Sequence, residues 1–215
     1  MTKSFPRDAE AKLGKRRNRC KAGLPFAIAM TDPLRRPDPA EALRRAPKGS
    51  AVIYRAYGVA HDDARLRELA RLARLRGVLL LVAGDLKAGS CLGIGGLHLP
   101  EYLIRQSAEQ RFARPARRKP DLVVTAAAHS QAAITAAARA GVDAVLISPV
   151  FATRSHPDAR PLGVVRFAAL ASCARTHGLA VYALGGATGE RARRRLAGVR
   201  LHGVAGIGAS ATRPS

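Results

Sequence analysis

Between Leu24 and the C-terminus, short apolar runs alternate with helical segments about eight times. The run Val78–Gly84 (VLLLVAG) is apolar throughout, without the in–out alternation of a half-exposed strand. Such a strand is covered on both faces, as in a parallel sheet sheathed by helices. Similar runs occur at Pro25–Met30, Ser50–Gly58, Gly96–Pro100, Asp121–His129, Asp143–Val150, Leu179–Gly186 and His202–Ala209. The intervening segments carry helix signals. Asp38 is placed to cap a helix with Pro39 at its first position. From Asp62 to Gly77, the residues Leu66, Leu69, Ala70 and Ala73 form one apolar stripe, and Gly77 ends it. Ser130 caps a third helix, and two more run at Val164–Gly178 and Gly189–Gly198. Asp85–Gly93 reads as a weak, Gly-interrupted helix, and a helix starting at Glu101 gives way to a basic loop at Arg111–Pro120.

Strand–helix–strand units in one sheet are right-handed and parallel. Eight of them in 215 residues close most simply as a single (β/α)8 TIM barrel, an α/β fold. The alternative, an open doubly wound sheet, wants a Gly-rich phosphate turn after its first strand. Here that place holds TDPLRRPD. No composition break marks a second domain. Residues 1–23 read as a basic, disordered tail and 24–215 as the barrel.

The chain is 47% hydrophobic but only 4% aromatic and has no Trp, so its core must come from Ala, Val, Leu and Ile. The formal net charge is +22. Much of it is Arg spread over several helices, which reads as a basic exterior rather than a nucleic-acid surface. Modules that stack bases need exposed aromatics. The same charge attracts phosphorylated small molecules over distance. Three widely separated cysteines, Cys20, Cys91 and Cys173, offer no zinc or redox spacing. No apolar run has membrane-spanning length, and the N-terminus lacks the apolar segment of a secretory signal. The expected location is the cytoplasm. Assembly into a homo-oligomer is left open.

Barrel enzymes carry their sites at the C-terminal strand ends. After the sixth run comes SPVFATRSHPDARPLG, Ser148–Gly163, dense in polar and Pro residues. After the seventh come Gly185 and Gly186, and in the eighth GIG, Gly206–Gly208. Small residues at these two neighbouring ends suit a phosphate cradle built from backbone N–H groups, with Ile207 and Gly208 at the turn.

AVLISPVFATRSHPDARPLG and VYALGGATGERARRRLAGVRLHGVAGIGAS, with the earlier MTDP, GLHLPE and AHS, resemble thiamine phosphate synthases and their TenI-type relatives. That resemblance implies a (β/α)8 barrel of thiamine biosynthesis. The implied reaction joins hydroxymethylpyrimidine pyrophosphate to thiazole phosphate, releasing pyrophosphate, with magnesium. It implies thiazole-phosphate contacts at Thr153, Ser155, Gly185 and Gly186. His129 falls where the TenI-type tautomerases are implied to use an acid–base histidine. The pyrophosphate half departs from the pattern. Arg55 is kept, but Ile53 and Tyr57 replace a Gln and a Lys, Ala127 replaces a Ser, and His156 stands where the family has Lys. Asp85 and Glu101 are the nearest substitutes for two displaced magnesium carboxylates. His156 would then be the cation beside the leaving pyrophosphate. Three readings follow: a synthase with an altered pyrophosphate and magnesium site, a TenI-type thiazole tautomerase, or a non-catalytic binder of a phosphorylated ligand. His98, in a short apolar run, reads as structural.

Overall fold

In a computed structural model of the chain, the residues described are 23–32, 38–55, 62–84, 93–107, 122–153 and 159–207. Residues 1–22 of the expected basic tail, 85–92 of the weak helix after the third run and the basic loop at 111–120 lie outside them. So do Asp85, Ser155, His156 and Gly208.

Eight strands close into a barrel in sequence order. They are β1 (Ala27–Met30), β2 (Ala51–Arg55), β3 (Leu79–Ala83), β4 (Gly96–Leu99), β5 (Val123–Ala128), β6 (Ala144–Ile147), β7 (Ala180–Ala183) and β8 (Gly203–Ile207). Every neighbouring pair is parallel, and β1 closes the ring against β8 with Ile28 beside Ala205. The helices among the described residues are α1 (Pro39–Arg45), α2 (Asp63–Arg76), α3 (Glu101–Ser107), α4 (Gln131–Ala140), α5 (Gly163–Thr176) and α6 (Glu190–Leu196). This is a single (β/α)8 TIM barrel.

Local chemistry accounts for the helix ends. The Asp38 side chain accepts from Ala40 N, and the Asp62 side chain accepts from Ala64 N, each at 2.9 Å. These caps satisfy donors that a first helical turn leaves orphaned. Gly77 closes α2 at φ +62°, a left-handed conformation that side chains resist.

Strand residues alternate between two environments. Val52, Leu80 and Val82 pack outward under α1 and α2 with Leu43, Leu66 and Leu69. Val145, Ile147 and Val181 pack outward with Ile134 and Phe167. The inward set includes Ile28, Ile53, Leu81, Leu146, Tyr182 and Ala205. The Tyr182 hydroxyl donates to the Pro25 carbonyl at 2.5 Å, and burial pushes its phenol up. The inner core is thus filled mainly by aliphatic residues, with few aromatics, as the composition requires.

Candidate functional site

The period of two also places the site. Continue each inward face two residues toward the C-terminal strand end. From Ile53 this reaches Arg55; from Leu146, Ser148; from Tyr182, Leu184; from Ala205, Ile207. On β5 the series Val123, Thr125, Ala127 leads to His129. All five end residues line one cavity of about 730 Å³ at the C-terminal mouth of the barrel, in the size range of small-ligand sites. Thr153, Gly185 and Gly186 line it too, as do Arg160, Thr188 and Gly206.

The loop after β6 is held by its neighbour. Val150 N donates to Leu184 O and Phe151 N to Gly185 O, both at 2.9 Å, so the β6–β7 ladder continues past the strands. This contact explains the glycine pair. Gly185 and Gly186 have φ of +81° and +65°. A Cβ at Gly185 would lie 2.8 Å from Pro149 Cα, and one at Gly186 would lie 2.7 Å from the Ala152 carbonyl oxygen. The packing of the loops demands both glycines before any ligand is considered. Gly206 differs: the atoms nearest a Cβ there belong to the Thr188 side chain, with Cγ2 at 2.5 Å.

Arg55 is anchored to the end of β1. Its backbone N donates to Thr31 Oγ1 at 2.9 Å, and its Nε donates to the Thr31 carbonyl at 2.6 Å. The guanidinium is therefore held at the cavity wall rather than swinging over it. Below it, His98 is buried on the inner face of β4. Its Nδ1 lies 2.9 Å from Thr125 Oγ1, whose hydroxyl in turn points to Leu97 O at 3.4 Å. Burial above all, with the nearby Arg55 charge, pushes the His98 pKa down to about 3. The ring stays neutral, as a structural histidine should.

His129 is the half-exposed imidazole of the site. Its Nδ1 lies 2.6 Å from the Ser148 carbonyl oxygen and 3.4 Å from Ser148 Oγ. A carbonyl can only accept, so Nδ1 carries hydrogen and the neutral ring holds its lone pair on Nε2. Glu101, the first residue of α3, accepts from the His129 backbone N at 3.1 Å. Its Oε2 lies 4.0 Å from His129 Nε2.

These geometries can be set against magnesium. That ion wants octahedral oxygen ligands, several of them carboxylate or water. Among the described residues no three His, Cys, Asp or Glu side chains converge on one point. The Glu101 carboxylate already receives the His129 backbone N–H. Of the two expected magnesium carboxylates, Glu101 stands at this end of the barrel and Asp85 lies outside the described residues; magnesium is commonly held by one or two carboxylates with waters and substrate phosphates.

The residues that the sequence pointed to thus come together in part. Arg55, His129, Thr153, Gly185, Gly186 and Ile207 share the cavity, and Glu101 stands behind His129. Arg160, Thr188 and Ser148 were not singled out. The parity argument from Leu146 reaches Ser148 directly. Arg160 lies in the polar loop Ser148–Gly163 after β6. Thr188 shows only through its three-dimensional contact with Gly206.

The family model for thiamine monophosphate synthase matches residues 28–210. A "Putative thiamine-phosphate synthase 2" from Aquifex aeolicus is 31% identical over 125 residues, covering 58% of this chain and 62% of that protein. The "Thiamine biosynthesis multifunctional protein ThiED" of Corynebacterium glutamicum is 34% identical over 151 residues, 68% of this chain but 19% of that much longer protein. The chain therefore spans less than two thirds of either relative. A solved thiamine phosphate pyrophosphorylase from Pyrococcus furiosus superposes with a TM-score of 0.65 at 22% identity, over 90% of this chain and 92% of that one. Its likeness supports the barrel, and the family match extends from the start of β1 to just beyond β8, across every strand end that builds the cavity. The chain belongs to the thiamine monophosphate synthase family.

Proposed function

We propose that the barrel mouth binds a phosphorylated thiazole and that His129 moves a proton on it, as in an isomerase of the TenI type. The observation that carries this reading is the orientation of the His129 ring. One nitrogen is anchored on a backbone carbonyl at 2.6 Å, which leaves the other basic. Tautomerisation takes a proton from one ring position and returns one to another, and an imidazole with a fixed tautomer suits both steps. Arg55 and Arg160 supply positive charge to the cavity, and Thr153 and Thr188 supply hydroxyls. Both suit a phosphate. Ser155, His156 and Gly208 remain expected contacts at the same mouth.

The second reading is the synthase reaction, joining hydroxymethylpyrimidine pyrophosphate to thiazole phosphate. The names of the relatives favour it, as do the two guanidiniums, which suit an anionic leaving group. In that reading Asp85 and His156 carry the pyrophosphate half.

Two assays separate the readings. Isomerisation of thiazole carboxylate phosphate is followed by proton NMR, and pyrophosphate release from the paired substrates is measured with magnesium. Isomerisation is expected in the native chain, falling about 100-fold or more in His129→Ala. Pyrophosphate release that survives His129→Ala, with no isomerisation in either protein, would replace the first reading with the second.

A further inference from the structure

Glu101 lies outside the cavity lining, yet it is the acidic side chain nearest the His129 ring among the ion pairs of the described residues. Its carboxylate is 16% exposed, whereas the His129 side chain is 51% exposed. It holds His129 in two ways. One oxygen, Oε2, accepts the His129 backbone N–H at 3.1 Å and faces Nε2 across 4.0 Å. The second distance lies beyond hydrogen-bond reach. The carboxylate therefore leaves the Nε2 lone pair available while standing close enough to offset a charge on the ring. The opposite nitrogen is fixed by Ser148. His129 is thus clamped at Nδ1 and at its main chain, and its one open nitrogen has a negative neighbour.

We propose that Glu101 is a positioning residue for His129. It seats the histidine through the backbone and offsets the imidazolium charge formed when Nε2 takes a proton, rather than ligating a metal. The inference rests on the proton-transfer reading of His129 but makes a separate physical claim about the pair. Its balance is simple: a proton moves from the ligand to Nε2 and back to the ligand, and Glu101 neither gives nor takes one.

The test compares the native chain with Glu101→Gln, Glu101→Ala and His129→Ala. One readout is nitrogen NMR of the histidine rings, with the His129 signals identified by their loss in His129→Ala. The other is kcat and KM for isomerisation. Glutamine keeps an oxygen to accept the backbone N–H but loses the charge. Glu101→Gln should therefore leave KM and the melting temperature unchanged, shift the Nε2 signal and lower kcat about tenfold or more. Glu101→Ala also removes the acceptor for the His129 backbone N–H and should loosen the seating of the ring on the Ser148 carbonyl. If Glu101→Gln changes neither the ring signals nor kcat, the proposal is wrong. A magnesium titration that moves the His129 signals in the native chain but not in Glu101→Gln would also overturn it, by making Glu101 a metal ligand. If His129→Ala retains full turnover, the proton-transfer reading falls, and the ring signals alone then decide whether Glu101 faces the imidazole.

Discussion

Acid should destabilise this barrel through a histidine that has almost no contact with solvent. His98 is 2% exposed, and its pKa is pushed down to about 3, first by burial and then by the Arg55 charge. Once the chain unfolds, the same ring takes a proton near 6.5. Between those values the unfolded state binds a proton that the folded state refuses. The contribution of His98 to stability is complete above pH 6.5 and is lost progressively as the pH falls to about 3. Inside that window one such group costs about 1.4 kcal/mol per pH unit, so a drop from pH 7 to pH 5 removes about 2 kcal/mol. That is a large share of the roughly 5–15 kcal/mol that holds a domain of this kind folded. Urea unfolding at both pH values, on the native chain and on His98→Asn, isolates the effect. Asn can still donate to Thr125 but does not titrate, and the rest of the sequence is the same in both proteins. The native chain should lose about 2 kcal/mol more than the variant on acidification. Losses that agree within about 0.5 kcal/mol would mean that His98 is protonated in the folded barrel and that the burial argument is wrong.

Thr125→Val keeps the shape of a fully buried side chain but removes the acceptor for His98 Nδ1; it should cost about 1–3 kcal/mol in urea unfolding at pH 7, and no loss would mean that water already serves the ring. Gly206→Ala should weaken thiazole phosphate binding about tenfold, or about 1.4 kcal/mol, in calorimetry with little change in melting temperature. The added methyl group first meets the movable Thr188 side chain. Unchanged affinity would put the phosphate elsewhere. Gly186 is a poorer probe, because a side chain there strikes the Ala152 backbone and disturbs the loop itself.

The barrel was readable because its local signals agree with one another. The stripe Leu66, Leu69, Ala70 and Ala73 is buried in α2, its Asp62 cap is formed, and Gly77 turns the chain as expected. β5 and β6 appear where apolar runs predict them, trimmed by a residue or more at each end. A run marks a strand's chemistry, whereas ladder hydrogen bonds set its ends. The site was less readable. Strand parity leads to Arg55, His129 and Ile207, but the partners that define their chemistry are remote in sequence. Thr31 is 24 residues from Arg55, Ser148 is 19 from His129, and Glu101 is 28 from His129. Glu101 is expected from its place in the sequence as a metal carboxylate, and linear spacing cannot show that its oxygen also accepts the His129 backbone N–H. The glycine pair after β7 was read as a phosphate signal, yet the β6 loop alone requires it. Tight packing and anion binding call for the same residue, and sequence does not distinguish them.

The closure of β1 on β8 also bears on how the chain is made. Residues 27–30 find their second partner only at 204–207, far along the chain. While the ribosome is still adding residues, β1 has one strand neighbour, β2, and lacks β8 on its other edge. Contacts so distant in sequence form slowly, because a long loop must close before they repay its entropy. Until the last strand leaves the exit tunnel, the nascent protein is an open sheet with two bare edges, the form in which strands of different chains can pair. Losing β8 would remove more than one-eighth of the sheet: it would leave the ring permanently unsealed, with β1 and β7 as its exposed margins.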